Sequence, residues 1–440
     1  MNFILCEGLL QSVYTERGFY MNEEFEMMTP QPEELTPQPE EGNTAKEKKP
    51  HKWRKRIGKC LLLLAVLFAG FIGGIVFLIS GSNSNINNLS ILKKLLVLEG
   101  CVEQYYLDEV DGEKMETGIY RGYLSGLSDP YSTYYTKEEY DQMMEEDSGE
   151  YVGIGITVMK DTTTGYVSIE QVQKDAPAYN AGIQPGDLLI EVDGNDTTTL
   201  SLQEAVNLIK KGENKEVLLL IGRGTDTFEV TVEKTSVQIE SVTYEMKKEN
   251  IGYIAVSQFI ENTGDKFIDA IDTLEKQGMK SLIIDLRDNG GGFVDVCVDM
   301  VSRIIPEDQL IVYTEDKNGK KTEYKSNSEK ELNIPIIILV NGNTASASEI
   351  MTGCLKDYGV ANVVGSQTYG KGIVQNIIGL SDGSAIKLTV AKYYTPNGND
   401  IHKKGIEPDV IVEMEDAQWK EARDDETKDT QLQKAYELLK

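Results

Sequence analysis

The sequence predicts a mixed α/β protein of several domains carried on a single membrane-spanning helix. Three observations lead there. An uncharged run of twenty residues, Cys60 to Ile79, follows a basic cluster. Residues 150–235 are short apolar runs of β character between glycine turns, with one helical stretch, Ser201 to Lys211. From residue 251 onward apolar β-type runs alternate with helical stretches, the pattern of an α/β core with a partly parallel sheet.

At 440 residues, with 40% hydrophobic and 26% charged side chains, the chain has material for two or three domains with cores of their own. Net charge is −28, unevenly spread: residues 1–59 hold 9 Lys/Arg and 10 Asp/Glu, and the rest 35 against 62, a balance of −27. Phosphate binding needs basic surface, so nucleic acid is excluded as a partner and the acidity reads as solubility. Cys6, Cys60, Cys101, Cys297 and Cys354 show no metal spacing, and three beyond the apolar run is an odd number, so no disulfide framework is expected. With only His51 and His402, a His-rich zinc site is excluded; no metal and no cofactor are expected.

Residues 1–45 are polar, acidic and proline-bearing, with TPQPEE at 29–34 repeated at 36–41. Such a stretch buries too little to fold and is expected to be a disordered cytoplasmic tail; Met21 would itself serve as a start. Residues 46–59 form a basic juxtamembrane segment. Twenty helical residues at ~1.5 Å each span a ~30 Å hydrocarbon core. The run exceeds the ~7–15 apolar residues of a cleaved signal and has no clear small-x-small exit, so an uncleaved anchor at 60–79 is expected. Positive charge before it keeps that side cytoplasmic, placing the bulk of the chain outside the cell membrane.

Beyond a polar linker, Leu89, Leu92, Leu95 and Leu96 recur at helical spacing. The helical segment 85–147 is broken at Ser128-Asp129-Pro130-Tyr131. Within 237–415, IGYIAVSQF, SLIIDLR, IPIIILVN and AIKLTVAKYYT read as strands, and 264–277 and 346–357 as helices. The charged tail, 416–440, reads as a helix.

Three segments of this core could do chemistry. In NGNTASASEI (341–350) a buried strand ends and a helix begins among small residues, so a serine there meets free N–H groups and a dipole that favour an oxyanion. The plainer reading makes Ser346 and Ser348 caps, with Glu349 completing a capping box. DLRDNGGG (285–292) also follows an apolar strand, and its glycines allow backbone N–H groups to turn toward a bound carbonyl. TYGKGIVQ (368–375) places Lys371 between two glycines, with Gln375 four residues on and within touch if the segment is helical. A lysine acts as a base only when burial keeps it neutral, and alone it reads as a surface residue.

Together and in this order, the three segments closely resemble the carboxyl-terminal processing (tail-specific) proteases, serine peptidases of the S41 type. The matching stretches are Asp-Leu-Arg-x-Asn-Gly-Gly-Gly, Ala-Ser-Ala-Ser-Glu, and Gly-Lys-Gly-x-x-Gln with its lysine twenty-five residues after the serine. TPNGNDIHKKGIEPDV (395–410) is similar to that family's closing hairpin, and SDPYSTYY (128–135) to its helical lead-in, so the likeness spans about 85–415. It implies Ser346 as nucleophile, Lys371 as general base and Gln375 as the residue holding the lysine. It also implies oxyanion donors at the N–H of Ala347 and of a glycine in the triplet, Gly292 or Gly291. Thr344 and Ile373 depart from the family pattern without removing a reacting group.

YVGIGI (151–156) resembles the carboxylate-binding loop of PDZ domains, where a peptide adds as a strand; Gly153, Ile154, Gly155 and Ile156 would bind it. APAYNAGIQPGDLLIEVDG (176–194) continues that likeness, and helix 201–211 would form the other groove wall. The resemblance offers Arg223 as a coupling residue, against the plainer reading of a solvated arginine. The expectation is therefore a membrane-anchored Ser–Lys endopeptidase that cleaves proteins near exposed C-termini held by the PDZ domain, with a homodimer as a further expectation. Its rivals are a PDZ scaffold with an inactive protease fold and a Ser–His hydrolase using His402.

Overall fold

The apolar spacing that begins at Leu89 does form a helix, α1 (Asn88–Tyr105). This computed structural model describes residues 88–211 and 215–440. The expected tail, juxtamembrane segment and membrane helix (1–79) lie outside the described residues, and among the described residues no helix is long and apolar enough to cross a membrane. The chain divides into two units at Asp108 and Glu109, and α1 is the described helix of the first.

The second unit begins with α2 (Gly112–Ser125), whose N-cap Asp111 accepts from the Lys114 N–H at 3.1 Å. Helix was expected to resume after Pro130. Instead Thr133–Tyr135 form strand β1, because a β-branched residue and two aromatics suit a pleated surface and find a partner strand far along the chain. Next, α3 (Lys137–Ser148) opens on a capping box between Thr136 and Glu139 and stops at Gly149 in the left-handed region.

The β-rich module follows: β2 (Glu150–Gly153), β3 (Ile156–Lys160), β4 (Val167–Val172), a short α4 (Pro177–Asn180), β5 (Leu188–Val192), β6 (Asn195–Asp196), α5 (Leu202–Lys211), β7 (Glu216–Arg223), β8 (Asp226–Glu233) and β9 (Thr235–Gln238). Its main sheet has the order β3-β4-β5-β7-β8, and β2 pairs with β9. Ile154, Ile169, Leu189, Leu219 and Ile221 fill its core.

The α/β core is laid down in chain order by β10 (Val242–Met246), β11 (Ile251–Val256), α6 (Thr263–Lys276), β12 (Ser281–Asp285), α7 (Val294–Ser302), β13 (Leu310–Asp316) and β14 (Lys321–Lys325). There follow β15 (Ile336–Val340), α8 (Ala347–Asp357), β16 (Ala361–Gly365), β17 (Ile373–Gly379), β18 (Ala385–Tyr394), β19 (Val410–Ile411), α9 (Asp416–Asp424) and α10 (Thr430–Leu438). The six-stranded sheet runs β10-β11-β12-β15-β16-β19, parallel apart from β10. Alternation along its strands sends Leu282, Ile284 and Ile338 to a core with α6, α7 and α8, and Ile283, Ile337 and Leu339 to a second core with Leu432 and Ala435 of α10. A buried cluster closes this second face: Arg287 pairs with Asp285 and with Asp429, the N-cap of α10. The tail is thus two helices, since Asp425 is extended and each later helical turn has its own aspartate cap.

A separate antiparallel sheet has the order β1-β18-β13-β14, with β17 also on β18. The segment 395–410 makes one bridge, Tyr394 with Asp400, where a hairpin was expected; it then turns back over residues 370–372.

Candidate active site

β12 and β15 lie side by side and parallel, so the segments that follow them leave the sheet together at its carboxyl edge. Asp288 holds Asn341 and Asn343 of the second segment, and three further hydrogen bonds lead toward the serine turn. Thr344 Oγ1 donates to the Leu286 carbonyl at 2.8 Å, and Ala345 N–H and Ser348 Oγ both donate to the Asn289 carbonyl, at 3.0 and 3.1 Å. Ser348 is fully buried and spent on this contact. Of the two serines, Ser346 alone stands at the turn into α8.

Ser346 has φ 58° and ψ −117°. A side chain held in so sparsely populated a conformation costs about 1–3 kcal/mol and persists only where its surroundings over-determine it. Two groups do so: Tyr393, buried on β18, donates its hydroxyl to the Ser346 carbonyl at 3.0 Å, and the Ser346 N–H donates to Glu349 Oε2 at 2.9 Å.

The glycine segment packs directly on this turn. A Cβ at Gly291 would lie 2.7 Å from the Ser346 Cβ, and Gly291 has φ +101°, so no other residue fits. Its N–H, however, donates to Asn289 Oδ1 at 2.8 Å. That removes Gly291 from the expected oxyanion donors. Gly292 differs: its bridge to Phe259 uses the Gly291 carbonyl and the Phe293 N–H, which turns its own N–H away from that strand. Ala347 is the first residue of α8, where an N–H has no intrahelical acceptor.

Glu349 was read from sequence only as a cap, and it does far more. Fully buried, it accepts four hydrogen bonds: from Ser346 N–H (2.9 Å) and Lys371 N–H (2.8 Å) on Oε2, and from Gly370 N–H (2.8 Å) and Thr368 Oγ1 (2.6 Å) on Oε1. The backbones of Ser346 and Lys371 thus meet on one oxygen, two hydrogen-bond lengths apart. The signal was present in the sequence, since Glu349 is the lone charge from Ile336 to Leu355.

The Lys371 amine lies 5.3 Å from the centre of the Tyr131 ring, and the Tyr131 and Tyr369 hydroxyls are 3.5 Å apart. Burial lowers the pKa of Lys371, repulsion from Lys387 lowers it further, and the Glu349 carboxylate works against both. The same tyrosine pairing and partial burial raise the Tyr131 phenol to about 12. Gly372 is pressed against His402, whose backbone nitrogen would be 2.6 Å from a Cβ there. Burial and nearby Lys403 lower the His402 pKa, and its buried Nδ1 has no hydrogen-bond partner among the described residues. A serine's histidine base is oriented through that nitrogen, so this arrangement disfavours a Ser–His pair.

Gln375 lies on a strand, β17, which begins two residues after Lys371, so the helical spacing that would pair the two is absent. Its amide donates to Thr389 Oγ1 on β18 at 3.5 Å. Arg223 keeps 38% of its side-chain surface exposed and grips Asp187 with two bonds of 2.6 and 2.7 Å, adding a third to the Gly182 carbonyl. In the 153–156 loop the carbonyls of Ile154 and Gly155 accept from Ala178 and Gln173, both at 2.9 Å. Among the described residues the following strand, β3, is an edge with β4 on one side only, the geometry that strand addition uses. Among the described residues no cluster of His, Cys, Asp and Glu could hold a metal ion.

Comparison with known proteins places these segments. Peptidase family S41 matches residues 250–412, and a PDZ domain matches 168–223. The carboxy-terminal processing protease CtpA of Bacillus subtilis is 38% identical over 316 residues, covering 72% of this chain and 67% of that protein. The chain belongs to peptidase family S41. A probable CtpA-like serine protease of Staphylococcus epidermidis is 36% identical to this S41 peptidase, over 80% of the chain and 72% of the relative. A solved structure of a putative S41 protease from Bacteroides fragilis shares the fold, with a TM-score of 0.53 at 19% identity over 72% of this chain and 89% of that one. This family member is a mixed α/β, multidomain, serine-type C-terminal processing peptidase with a PDZ domain before its S41 core.

Proposed function

We propose that this S41 peptidase is a membrane-anchored endopeptidase working through a Ser346–Lys371 dyad on protein chains held by their C-termini. One observation supports the dyad above all: Glu349 binds the backbone N–H groups of both residues through the same carboxylate oxygen. Neutral Lys371 takes the Ser346 proton, and the alkoxide attacks a peptide carbonyl. The Ala347 and Gly292 N–H groups hold the oxyanion; its collapse breaks the C–N bond, the departing amine takes the proton from Lys371, and water then hydrolyses the acyl-enzyme ester to free the serine. Gln375, through Thr389, keeps β17 in place beside the lysine loop. The 153–156 loop takes the substrate's terminal carboxylate, and β3 takes its backbone.

The full-length protein is expected to cleave a reporter bearing an apolar C-terminal tag and to spare the same reporter with an amidated end. Ser346→Ala should abolish the cleavage. An intact Ser346 with no cleavage of any reporter favours the scaffold reading; equal cleavage of acid and amide removes the PDZ part.

The anchor rests on the Cys60–Ile79 run and the basic residues before it. Protease added to intact cells is expected to release the domain beyond Gly81. Protection of that domain until the cells are lysed overturns the orientation.

A further inference from the structure

The carboxylate cradle of the PDZ domain already has a carboxylate at its edge. Ile239 N–H donates to the Gly149 carbonyl, which sets the hydrogen-bonded positions of β2 at odd-numbered residues and turns the Val152 N–H away from β9. Val152 donates that N–H to Glu145 Oε1 of α3 at 3.0 Å. The other oxygen of Glu145 lies 3.5 Å from Lys210 Nζ, near the end of α5, the second wall of the groove. The same ammonium is 5.1 Å from the centre of the Tyr151 ring, which supports its stem beside the loop. Around them α3, β2 and α5 border an open pocket of about 400 Å³, lined by Val152, Asn207 and Lys210 and, on α3, by Gln142 and the carboxylates of Glu138, Asp141 and Glu145.

We propose that Lys210 is the cation that reads the free carboxylate of a substrate chain end, and that Glu145 occupies that position until the substrate arrives. This rests on the PDZ reading given above. One backbone N–H and one ammonium make a two-point grip that suits any carboxylate, whether from a side chain or a terminus. The two cannot be held together, because a second carboxylate at one ammonium meets the charge of the first. The resident pair is also easily displaced: its separation is long and Glu145 keeps 33% of its side-chain surface in water, which makes such a pair weak. Glu145 thereby imposes selectivity. A chain end must carry its own negative charge to take the site, and an amidated or internal segment gains nothing from displacing it.

The test measures binding of a fluorescent peptide with an apolar last residue, as free acid and as amide, to the full-length Ser346→Ala protein in detergent. Lys210→Gln is expected to weaken the acid about tenfold, the scale of one charge-assisted hydrogen bond, and to leave the amide unchanged. Lys210→Arg should restore the preference for acid. Glu145→Gln should tighten the acid about threefold without moving the amide. Unchanged amide affinity reports that each variant is folded. If the parent prefers the acid and Lys210→Gln keeps that preference, or if Glu145→Gln weakens the acid, the role of Lys210 is overturned while the PDZ reading stands. A parent that binds acid and amide equally overturns the PDZ reading itself.

Discussion

Lys371→Arg is expected to be as inactive as Lys371→Ala, each down by about 10³-fold or more in turnover of a tagged reporter, the scale of a lost general base. Arginine keeps the size and the charge but stays protonated at all accessible pH, so it has no lone pair with which to take a proton. Both variants should fold, because the contact of Lys371 with Glu349 runs through its backbone N–H and survives any side chain. His402→Ala should keep most of the activity. The pH dependence carries the sign of the assignment. Burial and Lys387 hold the Lys371 pKa below that of a free lysine, so activity rises with pH as the amine deprotonates through that lowered value. Lys387→Gln removes a repulsion, favours the protonated amine and raises its pKa. The rising limb should therefore move to higher pH, and activity at neutral pH should fall. Substantial turnover by Lys371→Arg, or its loss in a folded His402→Ala, would show the base to be another group.

Glu349→Gln is the second large effect. Every partner of this carboxylate is a donor, three backbone N–H groups and one hydroxyl, spread over both oxygens. With its NH₂ toward Ser346 and Lys371 the amide leaves two N–H groups unpaired; turned the other way it leaves the Gly370 N–H unpaired while Thr368 Oγ1 can accept from it, so at least one donor is lost, at roughly 1–3 kcal/mol each. A fall in Tm of several degrees should follow. Turnover should drop by about 10²-fold, because a shift near 1 Å between the serine turn and the lysine loop is enough for that. Substrate KM should move much less, since the peptide-holding loop at 153–156 is untouched. Parent-like Tm and turnover in Glu349→Gln would reduce the carboxylate to a bystander.

Much of the fold could be read from the sequence because its signals were local. The runs SLIIDLR and IPIIILVN became neighbouring parallel strands as their uniform apolar character requires, and the helices at 263–276 and 347–357 began within a residue of their predicted starts. What was missed depends on distant partners. Thr133–Tyr135 is a strand because β18 lies beside it, 250 residues away in sequence, and no local window contains that information. The helical contact between Lys371 and Gln375, offered only on condition that the segment be helical, does not form for the same reason, as β17 is fixed by pairing with β18 rather than by propensity. At the site, residue types pointed to Ser346 and Lys371, and the bond from Ser346 N–H to Glu349 is the local capping box, yet the bonds of Glu349 to Thr368, Gly370 and Lys371 exist only once the segments have met.

Strand β18 also bears on when this protease can become dangerous to its surroundings. It carries Tyr393 against the Ser346 carbonyl, Thr389 against Gln375, and Lys387 near Lys371, and it pairs with β1, β13 and β17. One of its contacts, Ser132 Oγ with the Thr389 N–H, closes a separation of 257 residues. Contacts so remote in sequence form late, after local helices and hairpins, because the loop-closure entropy must be met before they bring any return. A growing chain would expose Ser346 well before Thr389 and Tyr393 had been synthesised. During that interval the serine turn has no strand to brace it and the lysine no charged neighbour to suppress its proton. Chain order and topology together thus delay the assembled site until β18 has been made.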